Sequence, residues 1–296
     1  MMMDQQNRRG NYNGQLVGEH SIAMKRGVGS GLLQQVQSKK YIFKAGPLSV
    51  DKTIIVDNSQ WQAVQGTVAK ATIWKKGSRI HVTSNLTIPK DAALAIQQGC
   101  VIKLAPKIEV TVLGKLTIEG TRETPVVFCP ETPSAPWGGI TLRGDSASAE
   151  ARWTFVTGSG GNPWWFVANS IAGTHRQEQA AFFLGEGAKG EFSDCFFIEN
   201  PGQAFHGESA QLTLNRCVVQ RCQTVGQFNG GSVKIHDSVL IDFPSDNDTY
   251  DDGDNDALYF TLGDHEITGT LIGWCKDDGI DAGGDSPGTV IVSDCW

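Results

Sequence analysis

Between Ile80 and Phe128 apolar and polar residues alternate in short bursts. They include Leu86-Thr87-Ile88, Leu94-Ala95-Ile96, Val101-Ile102-Lys103-Leu104, Ile108-Glu109-Val110-Thr111-Val112, Leu116-Thr117-Ile118 and Val126-Val127-Phe128. Alternation of period two over three to five residues, bounded by Gly, Pro, Asp or Lys, predicts β-strands. Nothing in this stretch keeps the 3.6-residue period of an amphipathic helix. Residues 1–79 show no comparable regularity and are read as a lead-in segment, ahead of a repeat domain spanning 80–296.

The offsets between bursts say how the strands are arranged. Leu94 and Ile96 recur 22 residues later as Leu116 and Ile118, and Leu86 and Ile88 recur at the same offset as Ile108 and Val110. Two separate strands sharing one period mean that a whole coil repeats. A coil that cannot bury its inner face alone must stack on its neighbours. The second half carries the repeat in another register. Phe192-Ser193-Asp194-Cys195-Phe196-Phe197 aligns with Leu214-Asn215-Arg216-Cys217-Val218-Val219, and then with segments around Ser238, Thr270 and Cys295. The column Cys195, Cys217, Ser238, Thr270, Cys295 holds small residues, spaced by 22, 21, 32 and 25, so one insertion of about ten residues is expected before Asp256. A β-sandwich of regular hairpins is the rival, but it requires no fixed offset, and Asn-Gly turn signals are scarce. The expected fold is all-β: a right-handed, single-stranded parallel β-helix with coils of about 22 residues. Its last element, Val292-Ser293-Asp294-Cys295-Trp296, stops partway through a coil, so further coils or domains are expected beyond residue 296.

Composition adds limits. Thirty-five glycines against eleven prolines suit short strands and frequent corners. The formal charge of −7 leaves no basic footprint, which speaks against nucleic acid and leaves cations or neutral ligands as partners. No apolar run approaches the length of a membrane span, and Met1 to Arg9 is not followed by the apolar stretch of a signal peptide. Seven cysteines form no paired C-x-x-C zinc site, and six histidines show no metal-binding spacing.

Three places could carry chemistry. The first is the acidic insertion, where Asp246, Asp248, Asp251, Asp252, Asp254 and Asp256 fall within eleven residues. Calcium is the hard cation such carboxylates gather, with Asp246, Asp248, Asp252 and Asp254 as candidate ligands. The EF-hand template does not fit, because Tyr250 falls where a ligand belongs, and a solvated acidic loop is the alternative. The second is the offset of 22 between Asn255-Asp256 and Asp277-Asp278, which stacks Asp256 beside Asp278 on the next coil, about 4.8 Å away. Stacked carboxylates need a cation or a shared proton, or else both face water at a corner. The third is Trp164-Trp165 in a long loop, where exposed rings would suit sugars and buried rings would cap the solenoid.

The segments Leu86 to Leu104 and Gly120 to Phe128, followed by Trp137-Gly138-Gly139-Ile140, resemble secreted bacterial parallel β-helix proteins of the pectate-lyase-like superfamily. The Asp-Cys-x-Phe and Asp-Gly-Ile elements are similar to its generic repeat. The resemblance implies a secreted or cell-surface module of a larger protein that binds polysaccharide or another surface ligand, with calcium in the acidic loop. It equally admits a polysaccharide lyase or glycoside hydrolase whose catalytic carboxylates would be Asp256, Asp277, Asp278 and Asp281. Polygalacturonase motifs are matched only in part: Asp277-Asp278 fits the Asp-Asp pair, and Phe205-His206-Gly207 stands where that family has Gly-His-Gly. On that match His206 joins Trp164 and Trp165 as a candidate substrate-binding residue.

Overall fold

The computed structural model describes residues 61–243, 256–283 and 288–296, and the backbone of two strands before them. Those two, β1 (Tyr41–Ala45) and β2 (Leu48–Ile54), form an antiparallel hairpin in a unit of its own that ends at Trp61. The second unit, 62–296, is the solenoid.

Its early strands are β3 (Trp61–Thr67), β4 (Ala71–Trp74), β5 (Arg79–Ile88), β6 (Ala93–Gln97), β7 (Val101–Leu104), β8 (Glu109–Val112) and β9 (Lys115–Glu119). Next come β10 (Val126–Pro130), β11 (Gly139–Leu142), β12 (Ser148–Arg152) and β13 (Thr154–Val156). After a one-turn helix α1 (Trp165–Ala168) follow β14 (Phe182–Leu184), β15 (Lys189–Ser193), β16 (Phe196–Ile198) and β17 (Phe205–Asn215). The last coils hold β18 (Val218–Gln220), β19 (Gly226–His236), β20 (Val239–Ile241), β21 (Leu258–Thr268), β22 (Leu271–Gly273), β23 (Ile280–Ala282) and β24 (Gly288–Ser293).

Among the described residues the strands of this unit pair in parallel, and they sort into three sheets. The first runs from the start of β5 through β7, β10, β13, β16, β18 and β20 to β22. The second runs from the end of β5 through β8, β11, β14 and the first halves of β17, β19 and β21 to β23. The third joins β4, β6, β9, β12, β15, the second halves of β17, β19 and β21, and β24. A parallel neighbour cannot be reached by a hairpin, so the chain visits the three sheets in turn and closes one coil per circuit. This is the expected parallel β-helix.

The alternation sets which residues face inward. Leu94 and Ile96, Leu116 and Ile118, Ala149 and Ala151, Leu212 and Leu214, and Val233 and Ile235 are all buried on the inner face of the third sheet. Burying one such Leu or Ile fully stabilises by about 1.5–3 kcal/mol before the entropy of ordering is counted. Where phenylalanine enters the stack, a neighbour shrinks. A side chain at Gly207 would meet Phe228 at 2.9 Å, and one at Gly190 would meet Phe192 at the same distance.

Three details differ from the sequence reading. Stacking begins before residue 80, since β4 pairs with β6 from Ala71↔Ala93 to Trp74↔Ile96. Leu86 and Ile88 sit opposite Val110 and Val112, an offset of 24, and not opposite Ile108 and Val110. The corner between β5 and β6 is two residues longer than its successor between β8 and β9, which restores the offset of 22 at Leu94↔Leu116. Finally, the repeat is broken more than once: Ile140 pairs with Phe182 across an insertion at 157–181, besides the 32-residue step from Gly226 to Leu258. The insertion 157–181 leads from the first sheet to the second, and the longer step likewise lies between β20 of the first sheet and β21 of the second.

Candidate functional site

The corner from first to second sheet faces the outer side of the second sheet. Along it one row of outward positions runs in register across six coils: Thr141, Phe183, His206, Gln227, Tyr259 and Asp281. Outward positions on a solenoid are normally wet. Here Thr141, Phe183, His206 and Gln227 are all buried, and only Tyr259 and Asp281 are partly open.

The insertion 157–181 covers the first half of the row. Trp165 and Phe166 of α1 build a small separate core with Phe183, and the ring of Phe166 lies 4.5 Å from that of His206. The Trp165 indole N–H donates to Glu109 Oε2 at 2.6 Å, and the Gln179 amide donates to the same oxygen at 2.8 Å. Deeper down, the buried Asn200 accepts from the Ser159 backbone N–H and hydroxyl, and donates to Val156 O. The insertion is thus fastened at both its base and its helix.

Its far end makes a wall. Gln227 donates to Gly173 O at 2.7 Å and accepts from the His175 N–H at 2.9 Å, so one side-chain amide grips two backbone groups of the insertion. His175 then packs on Tyr259 with ring centres 4.0 Å apart. Tyr259 leans over the final coil, where a side chain at Gly283 would meet its hydroxyl at 2.7 Å; glycine there leaves the ring its place. A polar ladder continues beside the row. Glu208 Oε1 accepts from Asn229 Nδ2 and pairs with His206 Nε2, both at 2.7 Å, and Asn229 Oδ1 accepts from the Thr261 hydroxyl.

Between wall and corner lies a narrow cleft lined by His175, Arg176, Gln203, Thr224, Gln227, Asp256 and Tyr259, with Gly226 at its floor. Arg176 and Asp256 are buried in it. Gln203 is 1 % exposed; its Oε1 accepts from the Gln227 N–H, while its Nε2 has no hydrogen-bond partner among the described residues. A buried amide donor left over in this way costs about 1–3 kcal/mol unless something accepts from it. The recess has a volume of about 10 Å³, room for one water that could accept from the Gln203 amide, and not for a ligand ring.

The expected site residues fall as follows. Asp256 does stand opposite Asp278, because Leu258 pairs with Ile280. Asp256 Oδ1 accepts the Asp278 backbone N–H at 3.1 Å, a hydrogen bond that favours the ionised carboxylate. Asp277 and Asp278 are exposed at the corner, and Asp281 lies opposite Tyr259. Trp164 is exposed on top of the insertion, but Trp165 is 2 % exposed and neither ring face is open to a ligand. His206 is likewise sealed beneath Phe166 and against Phe183, with its imidazole pKa pushed down by burial while Glu208 opposes that shift. Asp246, Asp248, Asp252 and Asp254 lie outside the described residues. Among the described residues no group of three or more His, Cys, Asp or Glu could hold a metal. The residues missed by sequence reasoning are His175, Arg176, Gln203, Gln227 and Tyr259. Gln227 and Tyr259 could have been found from the row, by applying the offsets of 21 and 32 to His206; His175, Arg176 and Gln203 lie off it, in the insertion and a corner, and had no such signal.

With stacking, sheets and corner in place, comparison with known families is informative. Residues 66–159 match the family of pectate-lyase-like β-helix domains. These early coils are similar to that family, and the solenoid they begin is a parallel β-helix. No curated protein and no solved structure matches the chain. The match to this β-helix family covers the early coils and stops at the base of the insertion, short of the cleft. Among the described residues no helix is long and apolar enough to cross a membrane.

Proposed function

We propose that this β-helix is a module that binds polysaccharide or another surface ligand, and that the ligand lies over the partly open end of the outward row, at Tyr259 and Asp281. The observation that carries this is the outward row itself: Thr141, Phe183, His206 and Gln227 are buried, and Tyr259 and Asp281 are the members left partly open, beside the exposed Asp277 and Asp278. Charge favours a neutral glycan over a polyuronate, since Asp256, Asp277, Asp278 and Asp281 cluster at this end of a chain of net charge −7. Binding is favoured over turnover because Asp256 is engaged with a backbone amide and Asp277 and Asp278 stand at the exposed corner. Polysaccharide as ligand carries with it a secreted or cell-surface location.

Calorimetry with soluble manno-, xylo- and laminari-oligosaccharides and with oligogalacturonates, with calcium and with chelator, tests this reading. A neutral glycan is expected to bind, and Tyr259→Ala to weaken it by about tenfold or more through loss of the ring contact. Failure of every glycan to release heat overturns the proposal. New reducing ends or unsaturated products would replace it with the lyase or hydrolase reading. Binding that appears only with calcium would bring the Asp246–Asp254 segment into the site.

A further inference from the structure

Outward positions of the third sheet are polar, as a wet face requires. Glu150, Glu191, Thr213, Lys234 and Glu266 succeed one another there in register, rung upon rung. The first sheet breaks that rule. Its outward row reads Val127, Phe155, Phe196, Val218, Val239 and Leu271 over six successive coils. The residues that follow the first five, from Phe128 to Leu240, are buried, so by alternation the row points outward, and all six members are at least partly open to solvent. Ile198 and Ile241 widen this apolar face at the next outward position, and Phe155 stacks on Phe196 with ring centres 4.4 Å apart. We infer that the face pairs with the same face of a second copy of this chain, about a twofold axis that runs along the strands midway between the Phe196 and Val218 rungs.

Charge at the edges selects this partner and this axis. Asp194, Arg216 and Asp237 stand where the chain enters the first sheet, and Glu199, Arg221 and Asp242 stand where it leaves, on the same three coils. Arg216 donates to both carboxylate oxygens of Asp194 at 2.8 and 2.9 Å, and Arg221 lies 3.4 Å from Glu199 and 3.8 Å from Asp242. Both edges therefore read acidic, basic, acidic, at a rise of about 4.8 Å per coil. A twofold axis along the strands reverses the order of coils and lays each edge over its own counterpart. Placed between the Phe196 and Val218 rungs, it sets Asp194 over Arg216 of the second copy and Glu199 over Arg221, on both edges at once. An axis along the solenoid would instead set Asp194 over Glu199 and Arg216 over Arg221, like over like.

The apolar rungs agree with the charges. In the same register Phe196 meets Val218, Phe155 meets Val239 and Val127 meets Leu271, so all six rungs find a partner and each phenylalanine faces a valine. Moving the axis one rung, to lie between Val218 and Val239, leaves Val127 and Phe155 with no apolar rung opposite. Strand directions of the two faces then coincide, as in aligned sheet-on-sheet packing. Six rungs by one strand with its edge residues make a face of about 24 by 17 Å, on the order of 400 Å² in plan. An apolar patch of that size, rimmed by charge, marks an interaction surface. With side-chain relief counted, two such faces bury about 1,200 Å², the lower bound for a specific pair, which places the dissociation constant in the micromolar range.

Sedimentation velocity of the full chain, from about 1 to about 200 µM, tests the pairing. Wild type is expected to pass from monomer to dimer across that range. Val218→Lys, beside the axis, is expected to raise the dissociation constant at least about tenfold, with circular dichroism and melting temperature showing that the coils are intact. Two charge variants test the edges without touching the apolar row. Arg216→Glu with Arg221→Glu leaves both edges acidic, and Asp194→Arg with Glu199→Arg sets arginine against arginine. Each alone is expected to stay monomeric, and their equimolar mixture to regain the dimer. Wild type that is monomeric at the highest concentration overturns the inference, as does a dimer indifferent to Val218→Lys or a mixture no more associated than its components. A monomer whose glycan binding is lost in Val218→Lys also overturns it, and gives the stripe to the ligand instead.

Discussion

Trp153, Asp194, Arg216, Asp237, Gly269 and Asp294 all have φ between 46° and 61°, one above the other where the third sheet passes to the first. A single left-handed residue turns the chain. The residue after it, respectively Thr154, Cys195, Cys217, Ser238, Thr270 and Cys295, points inward and donates to the carbonyl two positions back. The sequence displayed this column as a run of small residues. It could not show why they are Cys, Ser or Thr, because the accepting carbonyl is freed only by the turn. Left-handed backbone costs an ordinary L residue about 1–2 kcal/mol, least for Gly and little for Asn or Asp. Asp237→Gly is therefore expected to be neutral or stabilising by up to about 1 kcal/mol, and Asp237→Val to destabilise by about 1–2 kcal/mol, read from urea midpoints. Equal effects of the two would contradict the turn's role.

The insertion 157–181 shows what an element can hide from its sequence. Trp164-Trp165 was legible as an aromatic pair, yet one ring is exposed and its neighbour is fastened to Glu109, 56 residues away. His206 alternates outward on β17 as a strand residue should, and only Phe166 and Phe183 overhead make it interior. Burial lowers the pKa of His206, facing Glu208, and of His265, which accepts the Val233 N–H and stacks on Phe260 beside Asp264. The sign follows. Folded imidazoles resist protonation while unfolded ones take a proton near pH 6.5, so the unfolded state binds more protons as pH falls. Stability should be complete above about pH 7 and decline from about pH 6.5 downward, toward the depressed folded values. Glu208, by favouring imidazolium at His206, reduces the loss there. Melting temperatures from pH 8 to pH 5 check this; His265→Gln should flatten part of the decline, and a profile rising toward acid would refute it.

At the scale of the whole solenoid, each coil is held only by its neighbours, so stability is set locally along the stack. The fold was legible because a period needs only two faithful strands to declare itself, and Leu94↔Leu116 was one. The site was not legible, because it is made by corners whose lengths break the period. The strands β17 and β19 are paired on both sides in two sheets, whereas among the described strands β24 is paired on one side, with β21, and is largely exposed. Amides of Thr289 to Ser293 are expected to exchange with deuterium orders of magnitude faster than those of Leu212 to Asn215 in the same sheet. Uniform protection along that sheet would mean that the solenoid opens as one unit.

The corner from first to second sheet spans residues 105–108 in one coil and 157–181 two coils later, while the flanking strands stay paired from Val110↔Ile140 to Ile140↔Phe182. Loop length there is uncoupled from coil stacking, as closing a longer surface loop costs little more than a short one. Mutation can thus lengthen, shorten or replace this segment and alter what the molecule recognises while leaving its scaffold intact. For a protein engineer the same corner is a socket: foreign loops grafted between Val156 and Phe182 would inherit a rigid floor already in register.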